Sequence, residues 1–343
     1  MTSHSISSGN DETRLHDAGV MNMPSARSSA LSDGLRLPVI VAPMFLISSP
    51  DLVIAAGKAG VLGVYPVANA RTLADLEAGL RRITGELALV GRGNQWAINV
   101  IVHPTYTRFD AEIELLERFR PRLVITALGG PQRALDRVHA FGGEVFCDVI
   151  TMVHARKAID AGADGLVLVA TGAGGHTGSY SPFAFVDEVR RFWDGPIVLG
   201  GAISNARAIR AALMLGADFA YMGTRFIGAP ETLVSDAYRQ MLVRASLSDI
   251  VMTKAITGVS ANWLRESLQA ANFDFTKLDI PGKIDFSDVN GDSKAWKNIW
   301  GAGQGVASIT AIETVAQIVD VLVRDYAALG AREQQLAAWP RSA

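Results

Sequence analysis

Short, continuous apolar runs alternate along this chain with longer stretches in which apolar residues recur at the helical period. The runs at 38–42, 61–65, 96–101, 123–127, 144–149, 166–170, 197–199 and 219–222 are too short and too evenly apolar for amphipathic helices. They read as strands buried on both faces. Between them the pattern predicts helices over 50–58, 72–83, 109–119, 131–141 and 152–161, with two more begun by Ser181-Pro182 and by Ser204. The helix after 219–222 is less clear. Two helix ends repeat almost verbatim, Ala161-Gly162-Ala163-Asp164 and Leu215-Gly216-Ala217-Asp218, each with a glycine just past the last turn, where a helix stops in the left-handed region. Eight strand-helix units in succession predict an α/β fold, a closed (β/α)8 TIM barrel. A doubly wound open sheet is the alternative, because local patterns do not report closure.

After Thr224 the rhythm breaks. Residues 231–247 keep a helical period, 263–268 look like another helix, and 273–292 carry Asp, Gly and Pro with little periodicity. We therefore expect a helical lid or substrate subdomain over 231–299, inserted into a barrel made of 34–230 and 300–330 and closed by a helix at 310–326. The same insertion suits a dimer contact, which leaves a homodimer open. Residues 1–33, rich in Ser, Asn, Asp and Gly, are expected to form a disordered tail.

A length of 343 residues suits a barrel of about 250 residues with an insertion. The chain is 49% hydrophobic and 19% charged with a formal net charge of −2, which argues against nucleic acid as a partner. The longest apolar run, 39–47, is too short to cross a bilayer, and the first thirty residues lack the apolar core of a signal peptide. No membrane partner and a cytoplasmic location are expected. The single cysteine, Cys147, excludes an internal disulfide and reads as a core residue of its strand.

In a barrel the carboxyl ends of the strands face the ligand. Those positions are Pro43-Met44 after the first strand, Asn99 at the third, a glycine-rich loop after the sixth, Gly200-Gly201 after the seventh and Gly223-Thr224 after the eighth. The last two pairs fall where barrels bind phosphate through backbone N–H groups and a helix end, so a phosphate-bearing cofactor or substrate is expected. The loop after the sixth strand holds Gly172, Gly174, Gly175 and Gly178 around one ionisable side chain, His176, an imidazole placed to move a proton. His103 lies near the same end, His139 and His154 fall in helical stretches, and His4 and His16 are in the tail. None of them pairs with a carboxylate at metal-ligand spacing, and no metal is expected.

Taken together, Ala42-Pro43-Met44, Asn99-Val100, the 172–178 loop, Gly200-Gly201-Ala202-Ile203, the 221–226 segment Tyr-Met-Gly-Thr-Arg-Phe and the 300–305 segment Trp-Gly-Ala-Gly-Gln-Gly resemble the nitronate monooxygenase family, formerly called 2-nitropropane dioxygenases. The chain is similar, more distantly, to flavin-dependent enoyl-acyl carrier protein reductases. The resemblance runs in order over about residues 37–325. It implies an FMN-containing barrel with a helical lid, in which Ala42, Pro43 and Met44 lie against the isoalloxazine and Asn99, Gly174 and Gly175 line its site. Gly200-Gly201 and Gly223-Thr224 would hold the phosphate, Gln304 would approach the flavin from the returning segment, and His176 would be the catalytic base. The implied reaction is oxidation of a small nitroalkane or alkyl nitronate, with O2 as acceptor, to a carbonyl compound and nitrite. Gly172-Ala173 stands where an acidic residue often precedes the Gly-Gly-His, and that departure bears on substrate. Relatives on this scaffold act on acyl thioesters, so an FMN-dependent enoyl-thioester reductase or dehydrogenase using NAD(P)H is the alternative. A non-redox isomerase or aldolase and a phosphate-binding barrel without catalysis fit less well, since the strand ends read as mostly apolar, glycine or amide and a pure binder does not need His176.

Overall fold

The structure, a computed structural model, describes residues 31–282 and 299–330. Nine strands appear before residue 223: β1 (Val39–Val41), β2 (Leu62–Pro66), β3 (Ala97–Ile101), β4 (Leu123–Ala127), β5 (Glu144–Val149), β6 (Gly165–Val169), the two-residue β7 (Gly175–His176), β8 (Ile197–Gly200) and β9 (Phe219–Met222). All but β7 close into a parallel barrel in the order β1-β2-β3-β4-β5-β6-β8-β9, and β9 pairs back onto β1 through Ile40 and Tyr221. The expected (β/α)8 barrel is thus what forms. Every barrel strand is buried on both faces because its inward side chains, among them Ile40, Val64, Ile125, Phe146, Val167 and Phe219, fill the interior while the outward ones pack under helices.

The helices begin where the sequence supplies caps. Ser49 accepts from the Leu52 N–H at 3.0 Å to start α1 (Pro50–Ala59), and Thr72 with Asp75 makes a reciprocal capping box for α2 (Leu73–Ala88). The ring continues with α3 (Phe109–Phe119), α4 (Gln132–Ala140), α5 (Met152–Asp160), α6 (Pro182–Arg190) and α7 (Ala206–Met214). Gly162 and Gly216 sit at φ 93° and 108°, the left-handed turn their sequence repeat demands. Asn205, not Ser204, caps α7, since its side chain accepts from the Ala208 N–H at 3.0 Å. The unclear helix after β9 is a single turn, α8 (Thr224–Ile227).

The insertion departs most from its sequence pattern. Helix α9 spans only Asp236–Arg244 of the expected 231–247, beginning at its Ser235 cap. Where a helix was expected at 263–268, β10 (Ile250–Thr253) pairs antiparallel with β11 (Ala261–Leu264), and the helix α10 (Arg265–Ala270) starts only afterwards. Pairing overrides helical period there: Trp263 is fully buried opposite Val251, which a helix would not allow. Strand β11 also pairs with β7, so β10-β11-β7 is a second, antiparallel sheet outside the barrel. The closing helix α11 (Val315–Ala328) begins at a Thr314–Gln317 capping box rather than at 310 and packs on α1 and α7. Of the tail expected over 1–33 only 31–33 are described, and Leu31 is buried in the cluster that fills the barrel. His4, His16 and residues 283–298 of the insertion lie outside the described residues.

Candidate active site

A cavity of about 1490 Å³ opens at the carboxyl ends of the barrel strands, roofed on one side by Val234, Tyr238, Ile256, Val259 and Trp300 of the insertion and the returning segment. Ligand sites commonly span about 300–1,000 Å³. This cavity is large enough for two molecules side by side. Ala42, Pro43, Met44, Asn99, Gly174, Gly175, His176, Gly200, Gly201, Gly223 and Thr224 all line it. Gln304 does not. It is exposed, with its side chain against Gly172 and its N–H donating to the Gly172 carbonyl at 2.9 Å, so it braces the loop from outside.

The turn after β1 is held by a residue the sequence did not single out. Asn69 donates to the carbonyls of Met44 (3.0 Å) and Ser48 (2.7 Å) and accepts from the Leu46 N–H (2.8 Å), fixing Leu46 at φ 60° and presenting Pro43 and Met44 to the cavity. Asn99, in the middle of β3, donates to the Ile125 carbonyl of β4 at 3.1 Å. At the end of β8, Gly201 has φ 136°, and a Cβ there would come within 2.7 Å of the Thr171 carbonyl oxygen. Only glycine fits, and it leaves backbone bare at the cavity wall. Thr224 is occupied within the protein: its Oγ1 accepts from the Gly303 N–H at 2.8 Å, tying the returning segment to the start of α8 after β9.

His176 reaches the cavity because two sheets meet at its loop. Gly175 and His176 form β7 against Asn262 and Ala261 of β11, and the Asn262 amide donates to the Ala173 carbonyl at 2.7 Å. Thr177 donates from its hydroxyl to the Ala170 carbonyl at 3.2 Å and from its N–H to the Ser260 carbonyl at 3.0 Å. Burial of the imidazole disfavours its charged form and lowers its pKa below the ordinary histidine value. A neutral ring is the form that accepts a proton.

Two polar residues on the floor were missed by sequence reading. Asp148 is the penultimate residue of β5 and Tyr221 lies on β9, both lining the cavity, which corrects the view of the strand ends as mostly apolar, glycine or amide. The signal was present, since a carboxylate inside the run Val145 to Val149 has no apolar partner to bury against. Burial pushes the Asp148 carboxyl up to about 7 and the Tyr221 hydroxyl well above its usual value. Cys147 also borders the cavity, but it is buried beside the Thr126 hydroxyl at 3.1 Å with its thiol raised to about 11, an inert core residue. His154 lines the cavity from α5, His103 bonds Thr105 through Nδ1 at 2.7 Å, and His139 bonds Asp164 at 2.7 Å on the surface. Among the described residues no group of three or more His, Cys, Asp and Glu is arranged around a metal position, and no helix is long and apolar enough to cross a membrane.

With this geometry in place, the chain was compared with known proteins. The family model for nitronate monooxygenase matches residues 92–325. The chain belongs to the nitronate monooxygenase family. That family is one of flavoproteins. Within it, the chain is 27% identical over 344 residues to a nitronate monooxygenase of Pseudomonas aeruginosa, covering 84% of this chain and 97% of that protein. It is 28% identical over 240 residues to a 5-hydroxy-7a-methyl-1-oxo-octahydro-1H-indene-4-carboxyl-CoA dehydrogenase of Rhodococcus jostii, covering 68% of this chain and 64% of the relative, so it spans under two thirds of that relative's length. The solved structure of a nitroalkane oxidase from Streptomyces ansochromogenes superposes with a TM-score of 0.74 at 23% identity, covering 89% of this chain and 99% of that one, a likeness of fold.

Proposed function

We propose that this member of the nitronate monooxygenase family is an FMN-dependent oxidoreductase that takes alkyl nitronates, or the nitroalkanes they come from, to a carbonyl compound and nitrite with O2 as acceptor. The observation that carries the reading is His176: an imidazole whose charged form burial disfavours, on the wall of a large cavity at the carboxyl ends of the barrel strands. FMN fits that cavity on three counts. Gly201 leaves bare backbone where a Cβ would collide, Gly223 opens the neighbouring strand end, and the floor carries Asp148 and Tyr221 oxygens that meet no partner within the protein. Bound there, FMN supplies one- and two-electron redox chemistry that no side chain has.

The chain's own residues prepare the substrate. His176 takes the α-proton of a neutral nitroalkane, whose negative charge spreads over two nitro oxygens, and no metal is needed. Ala42, Pro43 and Met44 offer an apolar face to a flat ring, and Gly200-Gly201 with Gly223-Thr224 would hold the phosphate. The segment 231–299 is proposed to shape the substrate end, since Val234, Tyr238 and Val259 face into the cavity from it. The unpaired thiol of Cys147 suits a reducing compartment, and the cytoplasm is the proposed location.

One observation favours a second reading. The cavity exceeds what FMN and a small nitroalkane need, and the relative from Rhodococcus jostii is named for an acyl-CoA substrate, so an acyl-thioester reductase or dehydrogenase using NAD(P)H is the alternative. The purified protein separates the two. Heat-released flavin running as FMN, with oxygen uptake on an alkyl nitronate and slow anaerobic bleaching by NAD(P)H, is expected. Fast bleaching by NAD(P)H without uptake would favour the thioester reading, and a colourless protein that takes up no FMN would overturn both.

A further inference from the structure

Asp148 and Tyr221 are not used by the chemistry assigned to His176, yet they are the most unusual groups of the barrel interior. The alternation along β5 decides where Asp148 points. Phe146, two residues earlier, belongs to the cluster filling the barrel, so Asp148 projects inward one layer higher, at the cavity floor. Tyr221 follows Phe219 into the same interior by the same rule and is 9% exposed. Its ring leans over Gly200, its neighbour across the β8–β9 ladder, where a Cβ would stand 3.2 Å from the ring. Gly200 thus serves Tyr221 as well as the backbone. The Asp148 Oδ1 and the Tyr221 hydroxyl are both closed to solvent and meet no hydrogen-bond partner within the protein. A buried polar atom of this kind costs about 1–3 kcal/mol unless a ligand satisfies it.

We propose that the Asp148 carboxyl and the Tyr221 hydroxyl form a donor pair on the cavity floor that hydrogen-bonds the acceptor edge of the bound heterocycle, and that loss of the carboxyl proton weakens this binding. The inference rests on the FMN reading, in which the acceptor edge is the carbonyl-and-nitrogen side of the isoalloxazine. The surroundings favour the protonated carboxyl over the carboxylate. Its ladder neighbours, β4 and β6, carry no titratable side chain, Cys147 beside it holds its proton, and the Tyr221 hydroxyl on β9, close enough to feel a charge on Asp148, holds its own as well. The other ionisable groups lining the cavity are His176 on β7, His154, Lys157 and Asp160 on α5, Tyr238 on α9 and Arg71 after β2, and none of them sets the Asp148 carboxyl, whose upward displacement comes from burial alone. A protonated carboxyl donates one hydrogen bond; a carboxylate donates none and sets a negative charge against the electron-rich edge it should hold.

The test is FMN binding by the full chain stripped of flavin, followed by quenching of flavin fluorescence at pH 6.5, 7.5 and 8.5, above the second ionisation of the phosphate. Wild type should lose affinity above pH 7, by up to about tenfold per pH unit, the limit for one proton taken up with the ligand. Asp148→Asn, which donates at every pH, should bind with a flat profile and more tightly than wild type at pH 8.5. Tyr221→Phe should bind several-fold more weakly throughout and keep the step. Riboflavin, lacking the phosphate, should show the same step. A flat wild-type profile needs no variant to overturn the donor pair, and a step unchanged in Asp148→Asn overturns it equally. Wild type that binds no FMN at any pH overturns the FMN reading itself, an outcome distinct from tight binding with the wrong profile.

Discussion

Asp148, Asn99 and Tyr221 rise from barrel strands hydrogen-bonded on both sides, whereas His176 stands on a two-residue strand whose ladder partner is β11 of the insertion, 85 residues further along the chain by the pairing of His176 with Ala261. The floor is fixed as soon as the barrel closes. The rim is fixed only when Ala261 and Asn262 have docked. Floor and rim therefore have different stabilities: the floor is lost with global unfolding, while the rim opens when one small sheet lets go. On the proposed function, ligand placement would belong to the first region and proton transfer to the second, so the two functions should be separable by mutation.

The largest separation is expected from Trp263→Ala. Trp263 is fully buried in the core of the insertion with Val251, Ala261 and Leu268, and its removal should cost about 3–5 kcal/mol locally. Limited proteolysis should cut within 245–282 while the barrel keeps its FMN. Flavin lost in parallel with the insertion would show that floor and rim are one unit. Gly223→Asp strikes the opposite region. Gly223 has φ −99° and a Cβ there makes only ordinary 3.5 Å contact with Met44, so the carboxylate is tolerated sterically but repels a phosphate. The variant should melt like wild type and purify without flavin; full flavin content would remove Gly223 from the phosphate site. Gly201 is a poorer probe, because any side chain there collides with the Thr171 carbonyl whatever its charge.

Asn262→Ala should act more gently on the rim, leaving the Ala173 carbonyl without its 2.7 Å donor at a cost of about 1–3 kcal/mol. Turnover of a neutral nitroalkane should fall more than FMN affinity, and an equal fall in both would place Asn262 among the ligand contacts. The smallest effects are those of pH. The His176 pKa is lowered, so the base stays neutral down to below the ordinary histidine range near 6.5, and the acid limb of the rate on a neutral nitroalkane should lie below that value. For Asp148 the displacement is upward: the cost of ionising it is absent below about pH 4, where folded and unfolded chains both hold the proton, grows as pH rises, and is complete above about 7. Asp148→Asn should therefore raise the flavin-free melting temperature at pH 8 and leave it unchanged near pH 4.

The barrel was legible because its information is local. Each strand is an apolar run, and caps such as Ser49 and Thr72 and stops such as Gly162 and Gly216 lie within a few residues of the elements they bound. The His176 loop and the glycine pairs were legible for the same reason. What sequence reading lost depends on distant partners. The stretch Trp263 to Leu268 keeps a helical spacing, yet Trp263 and Ala261 are strand because β10 and the His176 loop lie beside them. Gln304 sits in a motif that suggests ligand contact, and only the fold reveals that it turns outward against Gly172. Asn69 lies in no motif, and Tyr221 opens the 221–226 segment with nothing in it to mark a role; their roles come from which carbonyls and which glycine the closed barrel sets next to them.

Oxygen uptake with the neutral and the pre-ionised forms of one nitroalkane, wild type against His176→Asn, addresses the central claim most directly. Asparagine keeps the size and a hydrogen bond but takes no proton. Turnover of the neutral form should fall about 10²–10⁴-fold, the usual contribution of a general base, while turnover of the nitronate, already deprotonated, falls far less. Equal losses on both forms, or no uptake by wild type with either, would contradict the account.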